Sequence, residues 1–412
     1  MEVLRVVQGQ QAQLTALSNR LALMRDEHEA LCDCLAQCGA VPAQRLLASL
    51  HRRRFAAALR RHPCTSHESL ENILQSKDLM LTVGARLGLA GTAALGAASR
   101  TLRSGVVSVG HEIVTLFPVT LYAVGGEASG AALASVERFD MAMNVWTPDV
   151  PLNVPRSGCA AVAMGGHVYV VGGCSADGED LSSVERFDLS SKVWERLPPM
   201  HAGRDELAAA AADGKVFAIG GSCLVWPVRH VITAVDCFSP ASNSWEVLPS
   251  LSRERCAAAA VAVGGCIYVL GGCDEDGSAL DSTEVYVPGA IAWAPLPPMR
   301  RPRCNFAAAA VGGRIYVAGG YDDRMRDLDA VERFDTAIAV WEAVSALTVP
   351  RWGVRAVGRG GAVFVVGGQA RDEEVGAVDR LDPTSGAWVT LAPLHHARRS
   401  FGLAACYGSE PG

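Results

Sequence analysis

The sequence predicts a mainly β fold of six similar sheets, preceded by an α-helical region. Two features recur together about every fifty residues, namely an adjacent glycine pair and a tryptophan 21 to 25 residues after its first glycine, and an arginine stands 16 residues before every pair except the first. The glycine pairs begin at Gly125, Gly172, Gly220, Gly271, Gly319 and Gly367. The tryptophans are Trp146, Trp194, Trp245, Trp293, Trp341 and Trp388. Six copies of one combined pattern indicate a repeat architecture.

Each copy of the repeat is typical of four short strands. In the copy that starts at Arg303, the first strand is "NFAAAAV", the second is "RIYVAGG" and the third is "DAVERFD", while the fourth surrounds Trp341. The first two strands are apolar on both faces, so each sheet must be covered above and below. Sheets arranged radially in a closed ring meet this requirement and leave only short edges.

This pattern resembles the kelch repeat, in which each copy forms one blade of a β-propeller. The resemblance covers residues 118–408 and implies a six-bladed kelch-type β-propeller within residues 113–412. The first glycine pair has Val109, not arginine, sixteen residues upstream. Arg398, in contrast, lies ten residues past Trp388, which is the spacing of the other copies. The C-terminal strand is therefore expected to complete the first blade and close the ring.

The part before the repeats is predicted to be helical. In residues 1–38, a coiled-coil helix is indicated by a heptad seam of Leu14, Leu17, Leu21, Met24, His28, Leu31, Leu35 and Cys38. This seam predicts self-association through residues 3–38. The alternative to self-association is a helix that packs on its own domain. Residues 39–112 are predicted to form a second helical region with a basic helix at 43–62, and its end, "LGAASRTLRSGV", resembles the last helix of an F-box. The basic helix has no stacking aromatic beyond Phe55, so no nucleic-acid ligand is predicted.

Composition narrows the class of protein. Residues 1–112 carry 13 Lys+Arg against 9 Asp+Glu, whereas residues 113–412 carry 24 against 34, so the body of the chain is acidic. Thirteen cysteines without a signal-peptide pattern indicate reduced thiols and a cytoplasmic or nuclear protein. The most apolar stretch that approaches the length of a membrane span, residues 79–99, is interrupted by Arg86 and is interpreted as helical core, so no membrane partner is predicted.

No catalytic constellation stands out in the sequence. Neither a Gly-x-Ser-x-Gly nor a His-Glu-x-x-His pattern occurs, and no cofactor or metal is predicted. We therefore predict a protein that is not an enzyme. The alternative is an enzyme that uses the propeller channel, of the oxidase or sugar epimerase type found among kelch propellers.

The resemblance to peptide-binding kelch propellers implies a binding site at the mouth of the channel. In those proteins the arginine that opens the first strand lines the mouth together with the next residue. The predicted partner-binding residues are Arg156, Ser157, Arg204, Asp205, Arg255, Cys256, Arg303, Cys304, Arg351, Trp352, Arg398 and Arg399, with Tyr321 and Trp226 from the loops after the glycine pairs. Six converging guanidiniums would favour an acidic peptide. The alternative is that each arginine is a repeat residue, paired with acids such as Asp205 or Glu254 or with loop carbonyls.

These observations predict a protein-interaction scaffold that binds a partner peptide at the propeller mouth. The most specific version is a substrate receptor or adaptor of a ubiquitin ligase, which rests on the family resemblance. A cytoskeletal or structural scaffold, crosslinked by the coiled coil, is the other version.

Overall fold

The computed structural model of the chain describes residues 119–141, 143–225 and 228–407. The predictions for residues 1–112, namely the coiled coil, the helical region and self-association through residues 3–38, lie outside these described residues. Within them the structure is all β, with six four-stranded antiparallel sheets. In this part of the chain, no helix is long and apolar enough to cross a bilayer.

Each four-stranded sheet is one blade, and in blades two to six the strands pair in sequence order from the centre of the ring outwards. Blade two consists of β6 (Ala160–Met164), β7 (His167–Val171), β8 (Val184–Asp188) and β9 (Val193–Leu197). Blade three consists of β10 (Ala208–Ala212), β11 (Lys215–Ile219), β14 (Val235–Ser239) and β15 (Ser244–Leu248). Blade four consists of β16 (Ala259–Val263), β17 (Cys266–Leu270), β18 (Thr283–Tyr286) and β19 (Ala294–Leu296). Blade five consists of β20 (Ala307–Val311), β21 (Arg314–Ala318), β22 (Val331–Asp335) and β23 (Val340–Val344). Blade six consists of β24 (Arg355–Arg359), β25 (Ala362–Val366), β28 (Val378–Leu381) and β29 (Trp388–Leu391).

Blade one combines the two ends of the described chain. It contains β1 (Val119–Val124), β4 (Val136–Asp140), β5 (Val145–Asp149) and, as its innermost strand, β30 (Gly402–Tyr407). β30 pairs with β1 along its whole length, from Val124 opposite Gly402 to Val119 opposite Tyr407. The six innermost strands also pack against one another in the closed order β30, β6, β10, β16, β20, β24 and back to β30. The ring is therefore continuous.

Three small hairpins extend the connections between the second and third strands. They are β2 (Glu127–Ala128) with β3 (Ala131–Ala132), β12 (Ser222–Val225) with β13 (Val228–Val231), and β26 (Gln369–Ala370) with β27 (Glu373–Glu374). The middle one is the long segment of blade three, which the sequence presents as a loop; here it is a hairpin that exposes Leu224 and Val228. Trp226, which is predicted to bind a partner, lies outside the described residues.

The repeated tryptophan fixes the outer strand of each blade. Trp341 packs on Phe334 of the neighbouring strand, with ring centroids 5.0 Å apart. Its indole Nε1 also donates a hydrogen bond of 2.9 Å to the carbonyl of Pro297, in the preceding blade. All six tryptophans make such a bond to the preceding blade, at 2.8 to 3.0 Å. The periodic tryptophan therefore joins blade to blade, which explains why it keeps step with the repeat.

The glycine pair occupies the most crowded turn of each blade. Gly319 and Gly320 have φ values of +70° and +90°, which residues with a side chain rarely adopt. A Cβ on Gly319 would lie 2.5 Å from the carbonyl oxygen of Arg351, and one on Gly320 would lie 2.6 Å from that of Cys304. Gly320 N–H donates to the Arg351 carbonyl at 2.9 Å, while the Gly319 carbonyl accepts from Arg303 at 3.0 Å. The sixteen-residue spacing in the sequence thus corresponds to a hydrogen bond between the side chain of Arg303 and the carbonyl of Gly319.

Candidate functional site: the propeller mouth

The mouth is the face of the ring formed by the loops that enter the first strands and the loops that follow the glycine pairs. The two kinds of loop meet in six antiparallel bridges, one at each blade. The bridged residues are Glu127 and Arg399, Ser157 and Cys174, Asp205 and Ser222, Cys256 and Cys273, Cys304 and Tyr321, and Trp352 and Gln369. Each bridge carries two backbone hydrogen bonds of 2.8 to 3.1 Å. The structure therefore brings each predicted residue after the repeat arginine together with the residue that follows a glycine pair.

A second ring of backbone hydrogen bonds lies directly beside these bridges. Each of its six residues donates its N–H to the carbonyl of the equivalent residue in the preceding blade, at 2.7 to 3.1 Å. The residues are Gly158, Glu206, Ala257, Asn305, Gly353 and Ser400, and Gly158 closes the circle by donating to Ser400. All six have φ between +49° and +64°, a conformation that four of them adopt despite having a side chain. The closed circle holds this strained backbone in place and makes the mouth a rigid platform.

The six arginines do not line the mouth, and that prediction is wrong. Arg303 is fully buried; its Nη2 donates to Glu332 Oε1 at 2.6 Å, and its Nη1 donates to the carbonyls of Gly319 and Ala330 at 3.0 and 2.9 Å. The others are at most 1 % exposed and are paired in the same way. The pairs are Arg156–Glu185, Arg204–Asp236, Arg255–Glu284, Arg303–Glu332, Arg351–Asp379 and Arg398–Glu137.

The alternative interpretation, an internal repeat residue, therefore describes the arginines. Their acids come from the third strand, however, and not from Asp205 or Glu254. A signal for this was present in the sequence, because an acid recurs at one position of every third strand, as in "SVERFD". Since each guanidinium is neutralised inside the ring, the argument for an acidic ligand loses its basis.

Two blades use a shorter acid and compensate for it. Asp236 and Asp379 stand where the other third strands have glutamate. Asp236 gains the ring of His201, whose Nδ1 lies 2.9 Å from its Oδ1, and Asp379 accepts from the Thr390 hydroxyl at 2.9 Å. Both oxygens of each carboxylate are therefore bonded, as a buried charge requires.

The two cysteines predicted to bind a partner are also internal. Cys304 is fully buried and Cys256 is 9 % exposed, and both pack with Ala257 and Cys273 in one small apolar cluster. Hydrogen bonding to Cys273, together with burial, strongly raises the pKa of the Cys256 thiol. The thiol is consequently protonated at neutral pH and is a poor nucleophile. These side chains support the mouth from below, and the prediction that they contact a partner is wrong.

Three of the predicted side chains that do reach the surface of the mouth cluster at blades five, six and one. Tyr321 and Trp352, both half-buried, meet edge to face with ring centroids 5.7 Å apart. The guanidinium of Arg399 lies over the Trp352 ring at 4.9 Å and donates to Glu127 at 2.5 Å and to Gln369 at 2.7 Å. A rigid aromatic pair beside a charged side chain has the character of an interaction hot spot.

On the other side of the mouth, Ser157 and Asp205 are half-buried. Burial, with a smaller contribution from the neighbouring Glu206 carboxylate, raises the pKa of Asp205 to about 7. Among the described residues, Cys174, Asp180 and Asp205 form the one group whose ligand atoms, all within 4.8 Å of one another, could hold a metal ion. The guanidinium of Arg229 already pairs with the two carboxylates of this group, at 3.0 Å from Asp180 and 3.6 Å from Asp205.

Fold and mouth together define a kelch-type six-bladed β-propeller. A family model described as the KLHDC2/KLHL20/DRC7 Kelch-repeats domain matches residues 110–302, and the Kelch motif model matches residues 302–348. The chain belongs to the kelch-repeat β-propeller proteins.

Similar proteins match over short segments. Alpha-scruin of Limulus polyphemus is 41 % identical over 64 residues, which is 15 % of this chain and 7 % of that protein. Kelch-like protein 33 of Homo sapiens is 44 % identical over 54 residues, or 13 % of this chain and 10 % of that protein. The solved structure of YjhT covers 61 % of this chain and 88 % of its own, with a TM-score of 0.54 and 16 % identity, which supports the fold alone.

Proposed function

We propose that the propeller mouth binds a peptide segment of a partner protein, and that the chain acts as a protein-interaction scaffold. Kelch propellers suggest protein–protein interaction as a class. The observation that carries the proposal here is the cluster of Tyr321, Trp352 and Arg399, half-buried side chains held on a double ring of backbone hydrogen bonds. Preorganised aromatic anchors lose little conformational entropy on binding, so they suit peptide recognition.

Replacement of Trp352 by alanine in the full chain tests this proposal. We expect the amount of captured partner to fall by about thirtyfold, which corresponds to a hot spot of about 2 kcal/mol. The readout is affinity capture from lysate with quantification by mass spectrometry, and thermal unfolding verifies that the variant is folded. Val247→Ala is the matched control, because Val247 is 69 % exposed but lies on an outer strand. Equal partner yields from both variants would contradict mouth binding.

The two versions of the scaffold predict different companions. In the ubiquitin-ligase version, which the F-box-like end of the helical region supports, a cullin or its adaptor copurifies with the full chain. In the structural version, residues 3–38 join two copies, and the full chain has a dimeric mass in solution. Stoichiometric metal found by elemental analysis of the purified protein would favour the channel-enzyme alternative instead.

A further inference from the structure

We propose that the mouth selects a basic, arginine-containing segment, the reverse of an acidic one; this rests on the proposed function. The six loops that follow the glycine pairs contain 15 Asp+Glu against 4 Lys+Arg. The loops that enter the first strands add four arginines and three acids that are not part of the six internal pairs. They are Arg253, Arg300, Arg301 and Arg399, and Asp205, Glu206 and Glu254. In formal charge, with every Asp and Glu counted as ionised, the mouth therefore has an excess of ten negative charges, as large as that of the whole propeller region 113–412. The loops that follow the glycine pairs are residues 127–134, 174–182, 222–233, 273–281, 321–329 and 369–376.

The loops of blades two to five form a connected rim, in which the loop of blade three carries no acid of its own. Asp180 of blade two accepts from the Leu224 N–H of blade three at 2.5 Å, and Asp323 of blade five accepts from the Ala279 N–H of blade four at 2.7 Å. Between them, His230 contacts Glu275 at 2.9 Å. Because neighbouring loops touch, their charges act on the same space above the channel, and the negative potential is focused there.

The mouth already binds guanidinium groups of its own chain. Arg229 lies between Asp180 and Asp205, as described above. Arg253, half-exposed, donates to the buried carboxylate of Asp274 at 2.6 Å. Arg399 combines a carboxylate with stacking on Trp352. Three separate places on this face thus hold an arginine by the contacts that a partner's arginine would require.

Further carboxylates on the same face are free to pair with a ligand. Asp177, Asp276 and Glu373 are exposed, and within the described part of the chain their carboxylates have no ion pair or hydrogen bond. They belong to blades two, four and six, so they surround the mouth at alternate blades. Each of these carboxylates is therefore available to an arginine of a basic segment that binds at the mouth.

The test measures fluorescence anisotropy with the full chain and three labelled probes: a short peptide of alternating arginine and glycine, its lysine counterpart, and a counterpart with glutamate in place of arginine. The mouth variant combines Asp177→Asn, Asp276→Asn and Glu373→Gln. The control variant combines Glu195→Gln, Glu246→Gln and Glu342→Gln, which removes the same charge from side chains 58 %, 54 % and 47 % exposed on outer strands. Thermal unfolding verifies that both variants are folded.

We expect the arginine peptide to bind, the glutamate peptide to bind at least tenfold more weakly, and the mouth variant to lose about tenfold in affinity, since exposed charge pairs contribute up to about 1 kcal/mol each. The control variant should bind like the natural chain. Tighter binding of the glutamate peptide, equal losses in both variants, or no binding of the basic peptides would overturn the inference. In each of those cases the partner yield of Trp352→Ala decides separately whether the mouth is a binding site at all.

Discussion

Deletion of residues 398–412 should abolish cooperative folding of the propeller. The deletion removes β30 and Phe401, which is fully buried, and burial of a Phe or Leu side chain stabilises a fold by about 1.5 to 3 kcal/mol. It also removes Arg398, which leaves Glu137 as a buried carboxylate without its partner, at a cost of about 3 to 5 kcal/mol. Together with the lost pairing along β1, the penalty reaches the net stability of a typical domain, about 5 to 15 kcal/mol.

Calorimetry and near-ultraviolet circular dichroism measure this effect. The truncated chain is expected to show no cooperative unfolding transition and no fixed environment for its tryptophans. A chain that ends after Tyr407 retains the complete β30 and serves as the control, with an expected transition like that of the full chain. A truncated chain that unfolds at the same temperature as this control would show that the C-terminal strand does not hold the ring closed.

Replacement of Glu332 by alanine should destabilise the protein by about 3 to 5 kcal/mol. The substitution leaves the guanidinium of Arg303 charged and unpaired in the interior, where a lone charge is costly. It also removes the acceptor for the Arg300 N–H, which Glu332 Oε2 binds at 2.8 Å. Denaturant unfolding gives the free energy of unfolding of the variant directly.

The same blade offers a matched control for this substitution. Glu342 pairs with Arg333 at 2.7 Å, almost the distance of the Arg303–Glu332 pair, but the two side chains are 47 % and 25 % exposed. Exposed ion pairs contribute at most about 1 kcal/mol, so Glu342→Ala should change stability little. Similar losses in the two variants would mean that burial does not set the strength of the internal pairs.

Most of the architecture was predictable because it depends on residues that recur. The glycine pairs turn where a Cβ would meet backbone, and the tryptophans bond to the preceding blade, so each leaves a periodic mark in the sequence. The strands of the fifth blade fall where the sequence predicts them, from Ala307 to Val344. The blade-three hairpin was not predicted, because its segment is longer than those of the other copies and breaks the repeat.

The site was predicted only in part, because periodicity identifies a position and not the direction of its side chain. The arginine and the next residue in each copy are equally regular in sequence. In the fold, Arg351 points inward to Asp379, while Trp352 reaches the mouth. Only the acid in every third strand could have revealed this, by offering each arginine a partner inside the ring. The backbone circle through Glu206 and Asn305 carries no side-chain signature, so the sequence could not indicate it.

Because the six repeat arginines are internal, the charge expected at the surface of the mouth is negative and not positive. What remains at the surface is an acidic rim around the aromatic pair of Tyr321 and Trp352. Two kinds of repeat residue thus have different roles: buried ion pairs maintain the ring, and we propose that the variable residues beside them contact the partner. Variants of the first kind should change stability, and variants of the second kind should change binding.

Site-directed photo-crosslinking tests the central claim most directly. A photo-reactive benzoylphenylalanine is placed in the full chain either at Ser157, on the mouth, or at Val247, on an outer strand. After irradiation of the complex with its captured partner, the proposed function predicts crosslinked partner peptides from position 157 and none from position 247. Crosslinks from position 247 alone would show that the partner binds the outside of the propeller, and would contradict binding at the mouth.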